Sequence, residues 1–316
     1  MYEDPRWDAE MRLAQLAQDE AAAQYPPIRL ELPFEPQRTI NDALALLTAA
    51  GGPIMADIED RWIAARGRRI FCRLYRPETD RTLPALVYFH GGGWVWSSVD
   101  THDRLAREYA AAAGLAVVSV DYALAPEAPF PQALEECAAV VRHLATEGAA
   151  WGIDPGRILL GGDSAGANLA LATALLLGAE KGPAPRGILA VYPVCDPGLD
   201  TPSYREFGEG YVLTVAKMRF YWSAYAPRPA DRLHPLAAPL RAELAGLPPV
   251  LVQLAELDVL RSEGEMLAAK LARAGVEVTC ETYPGVIHGF MRATGKVARA
   301  REAVAKAGAW LRQHSA

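Results

Sequence analysis

Several features are scarce or missing in this chain of 316 residues, and each absence narrows its function. There are four cysteines, Cys72, Cys137, Cys195 and Cys280, and none forms a C-x-x-C pair. A zinc knuckle or a thioredoxin-type redox site is therefore not expected. Scattered in this way, the cysteines read as small buried hydrophobes rather than as a disulfide framework. No run of Lys and Arg occurs, and 38 Asp and Glu outnumber 32 Lys and Arg for a formal net charge of −6. Nucleic-acid binding needs clustered cations to neutralise phosphate, so no nucleic-acid partner is expected. The longest apolar stretches, Ala110 to Val120 and Leu169 to Ala179, fall well short of the roughly 18 residues that span a bilayer. No membrane partner is expected either. The first residues, Met-Tyr-Glu-Asp-Pro-Arg-Trp, lack the basic and then apolar pattern of a secretory leader, which makes the cytoplasm the expected compartment. No repeat, no low-complexity tract and no G-x-x-x-x-G-K-[ST] phosphate loop is found.

What remains is ordinary globular composition, 51% hydrophobic and 22% charged, in a chain long enough to bury a large core. The first fifty residues read as helical. Asp4-Pro5 has the form of an N-cap followed by proline at the first helical position, with the helix running through Leu16. A proline break at Tyr25-Pro26-Pro27 precedes a second short helix over Asn41 to Ala50. Strands and helices then alternate. Arg69 to Tyr75 alternates as a half-buried strand does, and Leu83 to Phe89 is continuously apolar, as in a strand covered on both faces. Further strands are read at Leu115 to Val120, Arg157 to Leu160, Gly187 to Tyr192, Val250 to Ala255 and Val276 to Tyr283. Helices lie between them at Thr101 to Ala113, Pro131 to Thr146, Ala165 to Leu177, Glu263 to Ala274 and Lys296 to Leu311. The fold class is α/β, a mostly parallel sheet with helices on both faces. One long insertion between Pro193 and Val250 breaks the rhythm. Its Tyr204, Phe207, Tyr211, Phe220, Tyr221, Trp222 and Tyr225 look exposed and suggest a lid over the carboxyl edge of the sheet. A helix pair packed for stability is the alternative.

Gly162-Asp163-Ser164-Ala165-Gly166 follows an apolar strand and opens a helix. In that context the G-x-S-x-G pattern is a sharp turn, too tight for flanking side chains, that holds a serine hydroxyl out at the top of a sheet. Ser164 is the candidate nucleophile, and the helix start sets backbone N–H groups near developing negative charge. His90-Gly91-Gly92-Gly93-Trp94 directly follows another strand. Three glycines in a row are entropically costly unless bare backbone must approach a substrate oxygen. Two N–H groups of this loop, with that of Ala165, make a candidate oxyanion hole. A nucleophilic serine needs a base, and the base an orienting carboxylate. Of six histidines, His288 stands in a glycine-flanked loop after a strand, whereas His143 lies inside a helix, His314 in the tail, and His90 braces the glycine loop. Asp258 follows the strand ending at Ala255, and Glu256 is its rival. Asp163, beside the serine in sequence, reads as a local hydrogen-bonding residue. Trp94, Tyr211, Val286 and Ile287 are the candidate substrate-contacting side chains.

Together these motifs resemble the hormone-sensitive-lipase-like branch of the α/β hydrolases, the bacterial family IV esterases, from about residue 55 onward. His90-Gly91-Gly92-Gly93 looks like the family's HGGG loop, and Gly162-Asp163-Ser164-Ala165-Gly166 matches its GDSAG subgroup. Asp121-Tyr122-Ala123-Leu124-Ala125-Pro126-Glu127 looks like DYRLAPE with Ala123 in place of arginine. Asp258-Val259-Leu260-Arg261-Ser262-Glu263-Gly264 resembles DPLRDEG with Val259 for proline and Ser262 for aspartate. The resemblance implies an eight-stranded sheet under a cap formed by residues 1–50 and 197–245, over a catalytic body of 51–196 and 246–316. It assigns the oxyanion donors to Gly92, Gly93 and Ala165. It also implies a triad of Ser164, Asp258 and His288 acting on small esters of short to medium acyl chains without cofactor or metal, and a homodimer, as in many relatives. An amide, carbamate or lactone hydrolase is the alternative, and a binding protein on an inactive scaffold is disfavoured because all three triad residues are present.

Overall fold

A computed structural model describes residues 2–27, 29 and 33–316. Two helices come first, α1 (Ala9–Ala22) and α2 (Phe34–Ala49). Strands β1 (Asp57–Ala65), β2 (Arg68–Arg76), β3 (Leu83–Phe89) and β4 (Ala116–Asp121) follow, with α3 (Asp103–Ala113) before β4. Next come α4 (Gln132–Glu147), β5 (Ile153–Asp163), α5 (Ala165–Ala179) and β6 (Ile188–Val191). The insertion contributes α6 (Pro202–Phe207), α7 (Val215–Tyr225) and α8 (Pro229–Arg232). The chain closes with β7 (Val250–Leu257), α9 (Arg261–Arg273), β8 (Val278–Ile287) and α10 (Ala298–His314). Eight strands form one sheet in the order β1-β2-β4-β3-β5-β6-β7-β8. Only β2 runs against its neighbours, so the α/β, mostly parallel reading holds. None of the helices is long and apolar enough to cross a membrane, among the described residues.

The centre of the sheet is dry. All seven residues of β3 are buried, and in α5 every residue from Ala165 to Ala174 is buried. A helix apolar all round belongs in a core, not on a surface. β1 has no counterpart in the sequence reading. Its Ile58 and Trp62 are about half exposed at the sheet edge, 46% and 50%, so its alternation marks no buried face. A two-residue turn of Arg66 and Gly67, both at positive φ, joins it to β2. That geometry suits the twist of a hairpin.

The first helix is capped by Asp8, whose carboxylate accepts the Met11 N–H at 2.9 Å, and not by Asp4. Asp4 instead forms a short turn with the Arg6 N–H at 2.9 Å. The second helix begins at Phe34, ahead of the expected Asn41, with Pro36 in its first turn, where no N–H is needed. The insertion aromatics are not exposed. Tyr204, Phe207, Trp222 and Tyr225 are buried, because α7 presses Met218, Trp222 and Tyr225 at helical spacing onto the body. Cys72, Cys137 and Cys195 are buried as expected, but Cys280 faces out from the edge strand β8; all four are free thiols.

One buried carboxyl holds the root of the insertion. Glu263 of α9 accepts the N–H groups of Cys195 and Asp196, at 2.7 and 3.1 Å, where the chain leaves β6. Burial pushes its pKa up from 4.5 to about 8, against the pull of those N–H groups and the Tyr204 hydroxyl. A pKa raised on folding gives stability that is complete below the unfolded value and is lost as pH rises through the folded one. Glu263 therefore makes the fold less stable between about pH 5 and pH 8. Glu263→Gln keeps an acceptor for both N–H groups and removes the ionisable proton. Thermal unfolding across that range should show a shallower decline in the variant, with a midpoint higher than wild type by on the order of 5 °C at the alkaline end. Parallel curves for the two proteins would refute it.

Candidate active site

Between β5 and α5 the chain reverses at Ser164, whose backbone stands at φ 57° and ψ −117°. Side chains rarely adopt that conformation. It is held by the Ser164 N–H donating to the Val191 carbonyl at 2.8 Å, and by the Ser164 carbonyl accepting from Asn168 N–H at 3.2 Å. The flanking glycines are a matter of space. A Cβ on Gly162 would lie 2.5 Å from the Phe89 carbonyl oxygen, and one on Gly166 only 1.9 Å from it. The end of β3 and the first turn of α5 thus touch backbone to backbone.

The glycine loop leaves β3 at the same point. Gly91 N–H donates to Asp163 Oδ1 at 2.9 Å, Tyr88 donates to the same oxygen at 2.7 Å, and His102 Nε2 stands 3.2 Å from it. Burial alone would raise the Asp163 pKa. His102, Arg292 and the Tyr88 hydroxyl outweigh it and hold Asp163 well below the usual carboxylate range. Asp163 is more than a local turn residue, since it ties the glycine loop to the serine turn. His90 stacks on Tyr122 with ring centroids 4.4 Å apart and donates from Nδ1 to the Gly91 carbonyl at 2.8 Å. Burial, reinforced by His102, pushes its pKa down to about 3, so it braces the loop as a neutral ring.

Gly92 and Gly93 have φ of +122° and +62°. A Cβ on Gly92 would lie 2.1 Å from the Trp96 carbonyl oxygen, and one on Gly93 2.5 Å from the Tyr221 ring. Among the described residues their N–H groups donate to no protein acceptor. Ala165 is the first residue of α5, so its N–H has no carbonyl one turn back.

Asp258 and His288 directly follow the parallel neighbours β7 and β8, so both emerge at the same edge of the sheet. The structure brings His288 Nδ1 to 2.7 Å from Asp258 Oδ2, and His288 Nε2 to 2.9 Å from Ser164 Oγ. Asp258 is buried, and its second oxygen accepts the Leu260 N–H at 3.0 Å. The Tyr192 ring packs against the imidazole at 4.6 Å. Glu256 points elsewhere. It accepts the Gly285 N–H at 2.7 Å and so steadies the approach to His288. On its other side Gly285 accepts the Asp8 N–H at 2.9 Å, which seats the start of α1 against the same end of β8.

A cleft of about 230 Å³ opens over Ser164, His288, Gly92 and Gly93, with Trp96 and Tyr221 on its wall. A larger hollow of about 800 Å³, beneath α2 against Asp121 and Glu127, includes none of Ser164, Asp258 and His288. None of the four expected substrate contacts is on the cleft wall. Trp94 is fully buried and stacked on Tyr225 at 4.1 Å, because the turn after Gly93 sends its side chain under α7. Tyr211 donates to Asp4 at 2.6 Å, and Val286 is buried in the core. Ile287 does line a smaller pocket of about 190 Å³ beside His288. Tyr221 was detectable in the sequence, since residues 217 and 221 share a helical face that misses the buried stripe of Met218, Trp222 and Tyr225.

The chain is similar to known proteins over most of its length. The family described as alpha/beta hydrolase fold matches residues 86–292. An ethyl acetate hydrolase of Pseudomonas putida is 37% identical over 287 residues, covering 89% of this chain and 90% of its own length. The carboxylesterase NlhH of Mycobacterium tuberculosis is 37% identical over 262 residues, covering 81% of this chain and 82% of its own. Among solved structures, a hyperthermophilic esterase from the archaeon Pyrobaculum calidifontis superposes with a TM-score of 0.90 at 37% identity, covering 95% of this chain and 97% of that one. An alpha/beta hydrolase from the metagenome of Lake Arreo, solved as a serine-to-alanine mutant, gives 0.92 at 33% identity, covering 98% of each.

Two glycines of α5 make opposite predictions. Gly166→Ala forces β3 and α5 apart and should lower stability by several kcal/mol, on the order of 3 or more. Gly178, exposed near the end of the same helix with nothing within 4 Å of a Cβ, should tolerate alanine. Gly178→Ala should raise stability by about 0.5–1 kcal/mol. Denaturant unfolding of both variants measures the two signs, and an unperturbed Gly166→Ala would remove the steric argument.

Proposed function

Since the chain belongs to the α/β-hydrolase-fold family, we propose that it is a serine carboxylesterase cleaving short- to medium-chain acyl esters through an acyl-enzyme. The observation that carries the reading is the relay Asp258–His288–Ser164, at 2.7 and 2.9 Å, beside the free N–H groups of Gly92 and Gly93. Ser164 Oγ attacks the ester carbonyl while His288 Nε2 takes its proton. Asp258 fixes the imidazole tautomer and stabilises the imidazolium. The N–H groups of Gly92, Gly93 and Ala165 receive the oxyanion, each donor counting for about 10²–10³ in rate. His288 then protonates the departing alcohol. Water, deprotonated by the same nitrogen, attacks the acyl-enzyme and releases the acid and the free serine.

The proposal has finer parts. The GDSAG elbow and HGGG loop support membership of the GDSAG subgroup of the hormone-sensitive-lipase-like branch. Residues 1–50 and 197–245 act as the cap, and 51–196 with 246–316 as the catalytic body. The contact of Tyr211 with Asp4 supports this division, because it joins the two cap pieces directly.

Hydrolysis of p-nitrophenyl esters from acetate to palmitate, by wild type and Ser164→Ala in parallel, tests the reading. Activity should peak at short chains and vanish in the variant; an inactive but folded wild type, or faster turnover of matched amides, would overturn it. His288→Ala should lower kcat by roughly 10⁴–10⁶ with the fold intact. Asp258→Asn should be severely impaired and Glu256→Gln should not. The reverse order would transfer the acid to Glu256.

A further inference from the structure

The cleft carries a charge balance opposite to that of the whole chain. Overall the protein has a net charge of −6. The cleft wall holds Lys217 and Arg292, and its single carboxylate is Asp163, already engaged by Tyr88, Gly91 and His102. The adjoining pocket shares His288, Gly289 and Arg292 with the cleft, adds Lys296, and contains no carboxylate.

Many arginines in this chain are paired, as in Arg6 with Glu206, Arg38 with Glu127 and Arg73 with Asp60, and others such as Arg12, Arg205, Arg219 and Arg273 are exposed to solvent. Arg292 is neither. It stands in the single turn Phe290–Ala293 that directly follows His288 and Gly289. Its side chain is half-buried, and among the described residues it makes neither an ion pair nor a side-chain hydrogen bond. The carboxylate that attracts it, Asp163, does so without a direct contact. A guanidinium offers five donors in a fork that matches a carboxylate. Leaving that fork partly desolvated and empty is unfavourable unless a ligand fills it. Lys217 also lines the cleft, on the α7 face it shares with Tyr221, and among the described residues its ammonium donates only to the Val212 carbonyl at 2.7 Å.

We propose that Arg292 and Lys217 form an anion-receiving subsite beside Ser164, so that the preferred substrate is an ester that itself carries a carboxylate. The proposal rests on the ester-hydrolase reading above. The carboxylate belongs either to the acyl part, as in a half-ester of a dicarboxylic acid, or to the alcohol part, as in an acylated hydroxy acid. In both, the forked contact with Arg292 fixes how the ester lies across Ser164.

Two matched pairs test this on the full chain. The acyl-side pair is p-nitrophenyl hemiglutarate against p-nitrophenyl methyl glutarate; the alcohol-side pair is 3-acetoxypropanoate against 3-acetoxypropanamide, followed by acetate release. In at least one pair, wild-type kcat/KM should favour the anionic member by about tenfold, the scale of one charge-assisted contact. Which pair shows it assigns the carboxylate to the acyl or the alcohol side. Salt should shrink the ratio, because the cleft is open to solvent. Arg292→Gln should bring the ratio to one or below, and Lys217→Met should reduce it severalfold. Lys217 is exposed on the cap, so that variant keeps the test decisive if Arg292→Gln fails to fold. Ratios at or below one in both wild-type pairs, or a ratio that neither variant changes, would overturn the subsite. Failure of wild type on all four esters would instead overturn the esterase reading.

Discussion

Everything at the site follows from how closely the Phe89 carbonyl approaches Gly166. A side chain at that position would have no room, with the nearest oxygen 1.9 Å from a Cβ. The contact sets the serine turn directly against the end of β3, where the glycine loop begins. The chain therefore needs no flexible linker to bring a nucleophile and a row of backbone N–H groups together. Two neighbouring strands end at one height, and each spends its first residues beyond the sheet on the same cleft.

Close packing alone would leave that loop free to swing. The buried carboxylate of Asp163 prevents it by accepting from Gly91 on one side and Tyr88 on the other. A comparable division holds at the second half of the site. Asp258 faces His288, while Glu256, two residues earlier, turns to Gly285. Residues two apart on a regular strand share a face, but β7 ends at Leu257 and its pairing with β8 shifts register between Ala255 and Leu257, so the two acids part there. One of them meets the imidazole and the other supports its loop. Glu263 serves the insertion in the same way, by holding main-chain N–H groups at Cys195 and Asp196. Each of these carboxylates joins segments far apart in sequence.

Much of the fold was legible because buried parallel strands are written as unbroken apolar runs, as in Leu83–Phe89. The serine turn was legible because its glycines answer a local steric demand. Asp258 and His288 were legible from chain order and from their places just after strands. What could not be read depends on partners distant in sequence. β1 hides because Ile58 and Trp62 face outward at an edge. Trp94 looked like a cleft residue until α7, more than a hundred residues later, covered it. The role of Asp163 is set by Gly91, 72 residues earlier, and the freedom of Arg292 by the absence of acids on several separate elements.

The seat of the N-terminal segment on Gly285 has a temporal side. Asp8, ahead of α1, donates to Gly285 of β8, far away in sequence and just before His288. A contact that spans so much sequence closes a large loop, and such long-range contacts slow folding. Because this bond needs β8 in place, a molecule in which α1 is docked has already ordered the backbone that leads into His288.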